Sequence, residues 1–406
     1  MPLQESISTW DQLLEVARKN TPARRIRRPG QSPSTAPIPS GLHKLSSDTP
    51  PVLLYRDTNS WCPFCERVWF ALEEKEIPFE TEFIDLSNKP KWYTDLVPTT
   101  LVPAAKIEGE LVYESKDILL ALEERFSSPP LLPEDPEENA VARQWVENAE
   151  TSGFLGAAYK FLRQPTSDPN ELANFQAELE AKLDALEETL GKYPGPYFVS
   201  TFSLVDIMYS PHLDRLAANL PVYRGYHIKG NERFPRLNAW FEAIKQRPAY
   251  HRVRSDSTTN NLLLRRRFGL QPIGNPLPLD ATDTEALQYR AEAAERLSDN
   301  REVAIADIVK NSGVQALAAD GDISAVKEAV EWHLKLLAEY LLHGNGSPLL
   351  GGRTGGKENT TDPTVAAVGA ITLAYVRNRI CAPRDMSAGA ATAFRAAADK
   401  VLASLY

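Results

Sequence analysis

Cysteine is scarce in this chain, with three in 406 residues. Three thiols cannot build the disulfide framework that small secreted domains depend on, so a reducing compartment is expected, cytosol or plastid stroma. Positive charge is short as well: 45 Lys and Arg stand against 54 Asp and Glu, a net charge of -9. Nucleic-acid binders carry a basic footprint, and none is expected here as a partner. No apolar run reaches the ~18 residues or more that a membrane helix needs. The opening "MPLQESISTWDQLLEVARKN" has no basic head followed by an apolar stretch, so neither a membrane span nor a secretory signal is expected. Zinc needs about four ligands, and Cys62 and Cys65 have no second cysteine pair or histidine pair beside them. The histidines, His43, His212, His227, His251, His333 and His343, are scattered. A metal is not expected, and each histidine reads as structural or solvated.

What is present is a globular composition: 43% hydrophobic, 9% aromatic and 24% charged residues. At ~100–200 residues per domain the length calls for two or three domains. Residues 1–50 read as an extension. Ser8 and Asp11 have capping-box spacing before a short helix with Trp10, Leu13, Leu14 and Ala17 on one face. The basic, then Pro- and Ser-rich "TPARRIRRPGQSPSTAPIPSG" buries too little apolar surface to fold alone.

From Pro51 the pattern tightens. "VLLY" is a strand, "PFCERVWFALEEK" a helix with Phe64, Val68, Trp69 and Leu72 on its apolar stripe and Glu66, Arg67, Glu73 and Glu74 elsewhere. "FETEFIDL" is a second strand, "KPKWYTDLVP" a short helix, "AAKIEG" and "ELVYES" a hairpin turning at Glu108-Gly109, and "SKDILLALEERF" a helix. The order βαβαββα predicts an α/β domain, a mixed sheet with helices, over residues 51–127. Strands then vanish. Amphipathic patterns predict an all-helical domain over 134–255, with Ser203 and Asp206 at capping-box spacing. Residues 256–280, with "LLLRRRF" and several prolines, read as a linker. Residues 281–406 are again helical, interrupted by the glycine-rich "GNGSPLLGGRTGGKENTTD", and show no catalytic constellation.

Two cysteines two residues apart between a strand and a helix are informative. A thiol at a helix start meets unpaired backbone N–H groups and the positive end of the helix dipole, which favour the thiolate. Cys62 precedes Pro63 at such a start, whereas Cys65 lies one turn inside and is shielded. Cys62 is therefore the nucleophile and Cys65 at most its resolving thiol; two packed, inert cysteines are the bland alternative. Downstream, a proline beginning a strand beside such a helix is often cis, leaving the preceding backbone free to pair with a peptide, as Val102 and Pro103 would. Glu114 and Ser115 sit at the next helix start, where N–H groups and a hydroxyl hold a carboxylate and the glutamate an ammonium; alone, the pair is a helix cap.

Together "WCPFCERVWFALEEKEIPFE", "NKPKWY", "LVPAAKIEGELVYES" and "SLVDIMY" resemble the glutathione transferase superfamily, in its cysteine-containing omega-like branch with the lambda and dehydroascorbate reductase relatives. The resemblance covers about residues 51–255. It implies a thioredoxin-like domain followed by a helical domain, with glutathione as co-substrate. It further implies that Cys62 forms a mixed disulfide with glutathione, with Phe64 beside it. Lys89 would pair with the glycyl carboxylate, Val102 with the cysteinyl backbone, and Glu114 with Ser115 would hold the γ-glutamyl end. Omega members usually carry a small nonpolar residue where Cys65 stands, so "CPFC" is closer to dithiol glutaredoxins. The long form, with its arm and added helical domain, resembles the iota class of photosynthetic organisms. Dimerisation is common in the superfamily, and the extensions could block or replace the usual interface.

The resulting expectation is a glutathione-dependent thiol transferase or reductase, acting on glutathionylated substrates or on electrophiles such as dehydroascorbate, with little conjugation of aromatic halides. The alternative from another class is a ligandin-type carrier of small hydrophobes with little turnover; the carboxyl-terminal domain shows no activity of its own. Tyr55 and Ser60 are alternative nucleophile activators that need not be invoked beside Cys62. Tyr159, Trp145 and Phe161, read as lying on one first long helix of the all-helical domain, either line a substrate cleft above Cys62 or pack as ordinary helix residues. Cys381 reads as an unpaired core thiol. "RRIRR" and "LLLRRRF" read as solvated or interdomain faces, or as docking for an acidic surface.

Overall fold

The computed structural model describes residues 8–21, 50–318, 321–344 and 362–404. The basic, Pro-rich arm with "RRIRR" and His43 lies outside them, as do residues 345–361 of the glycine-rich stretch. The chain divides into two compact units, Arg25–Leu277 and a second built from Met1–Arg24 with Pro278–Tyr406.

The Arg25–Leu277 unit begins with the expected βαβαββα order: β1 (Val52–Asp57), a first sheet helix (Pro63–Glu74), β2 (Phe79–Ile84), a short helix (Lys91–Leu96), β3 (Ala104–Ile107), β4 (Glu110–Tyr113) and a helix from Ser115 to Arg125. The sheet order is β2-β1-β3-β4, with β1 parallel to β2 and antiparallel to β3. β1 is central, which is why "VLLY" is apolar on both faces. The β3–β4 turn needs positive φ at both central residues, and Glu108 (51°) and Gly109 (91°) supply it. The mixed sheet with its helices is a thioredoxin-like domain.

Numbering the helices in chain order, α1 is Trp10–Asn20, α2 is Pro63–Glu74, α3 is Lys91–Leu96 and α4 is Ser115–Arg125. The all-helical part follows with α5 (Pro136–Asn148), α6 (Phe154–Arg163), α7 (Pro169–Thr189), α8 (Leu204–Arg224), α9 (Pro235–Lys245), α10 (Pro248–Val253) and α11 (Ser257–Phe268). α8 is buried almost all round. Its start has the expected capping box: Asp206 accepts from the Ser203 N–H at 2.8 Å while the Ser203 hydroxyl accepts from Val205 N–H. The second Asp206 oxygen accepts from the Trp240 indole at 2.8 Å, which ties the helix start to α9.

Three expectations need correction. The amphipathic pattern around Trp145 and Tyr159 is two helices, because the chain turns between them through Gly153, at φ 78°. Residues 256–280 are not simply a linker: Asp256 caps α11 by accepting from Thr259 N–H, and Thr259, Asn260, Asn261 and Leu264 are buried. The Tyr223 hydroxyl donates to the Asn261 carbonyl, fastening α11 to α8. The amino-terminal helix is capped by Thr9 with Gln12 rather than by Ser8 with Asp11, one register later.

In the second unit the extension contributes part of a core. Trp10, Leu13 and Ala17 of α1 are buried with Ala294 and Leu297 of α13 (Leu287–Asp299) and with Val330, Leu334 and Leu337 of α15 (Ile323–His343). The Trp10 indole donates to Glu331 at 3.0 Å, and the Ser8 N–H donates to buried Glu339 at 3.0 Å. α12 (Ala281–Glu285), α14 (Arg301–Asn311), a 3-10 turn (Val314–Leu317), α16 (Pro363–Arg379) and α17 (Ala388–Ser404) complete the bundle. Small residues let its helices close in: a Cβ at Gly369 on α16 would lie 2.1 Å from the His333 ring on α15. Cys381 is buried and forms no disulfide.

Candidate active site

β1 delivers the chain to Asp57, and the Asp57 carboxylate accepts from the Trp61 N–H at 2.7 Å, folding the turn back so that Cys62 starts α2. Pro63 at the first helical position sacrifices no hydrogen bond there. The N–H groups of the first turn are therefore left to the Cys62 sulfur. Its thiol is held below the ordinary cysteine value, first by a hydrogen bond from Cys65 and further by the backbone N–H groups of Cys65 and Phe64. Burial and the Asp57 charge oppose this. Cys65 is the converse case: it is 2% exposed, and burial, its bond to Cys62 and the charges of Cys62 and Asp57 push its thiol well up. Of the three cysteines Cys62 alone is not fully buried.

Val102 and Pro103 are joined by the expected cis peptide bond, and the Val102 carbonyl lies 4.0 Å from the Cys62 sulfur. Phe64 stands edge-on to His212 of α8 at 5.1 Å between ring centroids, with the Arg67 guanidinium 4.9 Å from its own ring. Ser115 begins α4 and is buried, its hydroxyl accepting from Arg67 at 3.1 Å. Glu114 is exposed with φ 68°. Lys89 donates to the Thr100 carbonyl at 2.8 Å, on the loop that leads to Val102. The fold thus gathers Cys62, Cys65, Phe64, Val102 and Pro103, and joins Ser115 to them through Arg67. Among the described residues no hydrogen bond or ion pair links Lys89 or Glu114 to Cys62.

Tyr55 is buried, its ring 6.0 and 5.7 Å from those of Trp92 and Tyr93, and Ser60 accepts from Arg56 at 2.6 Å; among the described residues no hydrogen bond joins either to Cys62. Phe161 and Trp145 are packing residues, against Tyr226 and against Phe198 and Tyr209 respectively. Tyr159 differs, since its hydroxyl is 2.9 Å from His212 Nδ1. Burial, with Arg67 and Arg215 nearby, holds the His212 imidazole well below its ordinary value and so uncharged.

The residues that sequence reasoning passed over are charged and buried. Arg215 of α8 donates twice to the Trp61 carbonyl, at 3.1 and 2.7 Å, and to Glu66 at 2.8 Å. Burial raises the Glu66 carboxyl to about 7 against the pull of Arg215. Burial works against the Arg215 charge, but Glu66, with Tyr159 and Cys62 nearby, more than offsets it and holds the guanidinium above its ordinary value. Arg67 donates to the Met208 carbonyl, Ser115 and Glu150. The one available signal was an excess of charge on α2 with complementary charge on α8 and α10. Among the described residues no group of three His, Cys, Asp or Glu could hold a metal ion, and no helix is long and apolar enough to cross a membrane.

Residues 61–125 match the family model "Glutathione S-transferase, N-terminal domain", and residues 169–243 match "Glutathione S-transferase, C-terminal domain". Over 236 residues, 55% of this chain and 93% of the relative, the chain is 32% identical to Protein IN2-1 homolog A of Oryza sativa subsp. japonica. Over 215 residues, 52% of this chain and 86% of the relative, it is 30% identical to Glutathione S-transferase L3 of Arabidopsis thaliana. The crystal structure of glutathione transferase Omega 3C from Trametes versicolor is 28% identical with a TM-score of 0.47, covering 53% of this chain and 89% of that one.

Proposed function

The chain belongs to the glutathione S-transferase family, and from that premise we propose that it is a glutathione-dependent thiol transferase or reductase working through a Cys62–glutathione mixed disulfide. The observation that carries this reading is the partly exposed thiol at the start of α2, held below its ordinary value and 4.0 Å from the carbonyl of cis-bonded Val102. A tyrosine or serine could instead activate glutathione for conjugation; a cysteine thiolate is itself the nucleophile.

In this scheme the Cys62 thiolate attacks the glutathione sulfur of a disulfide R–S–S–G. The Cys62–glutathione bond forms, the old S–S bond breaks, and R–S⁻ leaves to take up a proton. A glutathione thiolate then attacks the glutathione sulfur of the adduct, releasing glutathione disulfide and restoring the Cys62 thiolate. Glutathione supplies both electrons. Val102 would pair with the glutathione cysteinyl backbone and Pro103 would hold that carbonyl toward the sulfur. Ser115 and Glu114 would take the γ-glutamyl end, Lys89 the glycyl carboxylate, and Phe64 the wall beside the sulfur. Arg67 would fix the Ser115 hydroxyl from behind. Cys65, close enough to hydrogen-bond Cys62, is the group that would resolve an adduct internally.

Mass spectrometry after treatment with glutathione disulfide tests the scheme. A single glutathione adduct on Cys62, and loss of thioltransferase turnover in Cys62→Ser, are expected. An unmodified Cys62, or full turnover in that variant, would sink the mechanism.

A further inference from the structure

The residues flanking Cys62 are the two ends of one continuous chain of side-chain contacts. Trp61 faces Phe268 at the end of α11, with ring centroids 6.3 Å apart. The Arg163 guanidinium lies 4.7 Å from the Phe268 ring and 4.4 Å from the Tyr159 ring, wedged between α6 and α11. Tyr159 meets His212, and His212 meets Phe64, on the other side of Cys62. None of these six residues is acidic, and among the described residues no carboxylate pairs with Arg163. Stacking between rings occupies the faces of a guanidinium and leaves its in-plane N–H fork open, the geometry that matches a carboxylate. Phe268 is 41% exposed at this place, a large apolar ring left partly in water. The Trp61 indole N–H is enclosed without an acceptor, a donor that a polar ligand would satisfy.

We propose that this rim selects the substrate half of the reaction: a planar aromatic anion, an aryl carboxylate joined through sulfur to glutathione, with its ring against Trp61 and Phe268 and its carboxylate on Arg163. The inference rests on the mixed-disulfide reading only for the identity of the reacting end. It also gives the "LLLRRRF" motif a role for its last residue, while Arg265, Arg266 and Arg267 are exposed in the final turn, where cations suit the helix C-terminus.

The test compares glutathione mixed disulfides of 4-mercaptobenzoate, 4-mercaptobenzamide and 2-mercaptoethanol. The full chain should show kcat/KM about tenfold higher for the benzoate than for the benzamide, the size of one hydrogen-bonded charge pair. In Arg163→Gln the acid-to-amide ratio should fall toward one. Arg163→Lys, which keeps the charge without the fork, should fall between, and Phe268→Ala should lower both aryl substrates relative to 2-mercaptoethanol. Equal kcat/KM for acid and amide in the unaltered chain, or a ratio unmoved by Arg163→Gln, overturns the proposal while leaving the thiol chemistry standing. If even the 2-mercaptoethanol disulfide is not turned over, the mixed-disulfide reading fails. The rim is then judged by quenching of tryptophan fluorescence with 4-nitrobenzoate and 4-nitrobenzamide in Cys62→Ser: about tenfold tighter binding of the acid upholds it, and equal binding rejects it.

Discussion

A thiol hydrogen bond separates the two cysteines of "CPFC" into unlike groups. Because Cys65 is the largest cause of the lowered Cys62 value, Cys65→Ala should raise the Cys62 thiol toward its ordinary value. Its thiolate is then lost at a higher pH as the solution is acidified. Iodoacetamide labelling of Cys62 near neutral pH should slow severalfold in that variant, while in the unaltered chain Cys62 labels ahead of buried Cys65 and Cys381; an unmoved pH profile would discount the hydrogen bond. The placement of Cys62 was legible in sequence because it depends on local rules only, a proline at a helix start and a strand before it. Arg215 was not, since its partner Trp61 lies 154 positions away and nothing local marks an arginine that will be buried.

On the scale of single elements, α2 and α1 illustrate what periodicity captures and misses. The apolar stripe of α2 is where the pattern put it, yet Glu66, Arg67 and Glu73 on its other side are buried too. They are matched by Arg215, Glu150 and Arg252, and Glu74 by Arg247. A helix covered on both sides keeps such charges only when each is paired. For α1 the stripe was visible and its destination was not. Leu13 is 1% exposed within the core shared by α13 and α15, so Leu13→Ala should cost ~2–5 kcal/mol of the stability of this unit. Denaturant unfolding with amide exchange in α13 measures it; an unaltered midpoint would show that α1 is dispensable to the bundle.

The largest scale on which sequence reading falters is the joining of distant segments. Arg215 and Glu66, at 6% and 4% side-chain exposure, couple the helical part to the turn before Cys62. Removing one partner strands the other as a buried charge, so Arg215→Met should destabilise by ~3–5 kcal/mol, with much of the loss recovered in the Glu66→Gln/Arg215→Met double variant. Burial holds the Glu66 carboxyl above its unfolded value, so the folded state binds the proton more tightly and the ionised form is the costly one. The Arg215→Met deficit should therefore grow as pH rises through neutrality and shrink toward pH 5. A pH-independent deficit would mean that the lost contact to Trp61, not the stranded charge, sets the cost. The sequence by itself determined the βαβαββα order, the helical halves, the capped start of α8 and the cysteine at the start of α2, because periodicity, caps and turns act over a few residues. Only the tertiary structure decided that the amino-terminal helix completes the carboxyl-terminal bundle, that α11 packs on α8, and that Trp61, in the turn before α2, joins Phe64, Tyr159, Arg163, His212 and Phe268 of four helices beside Cys62. Such contacts are selected by burial and charge pairing between segments far apart in the chain, for which no local signal exists.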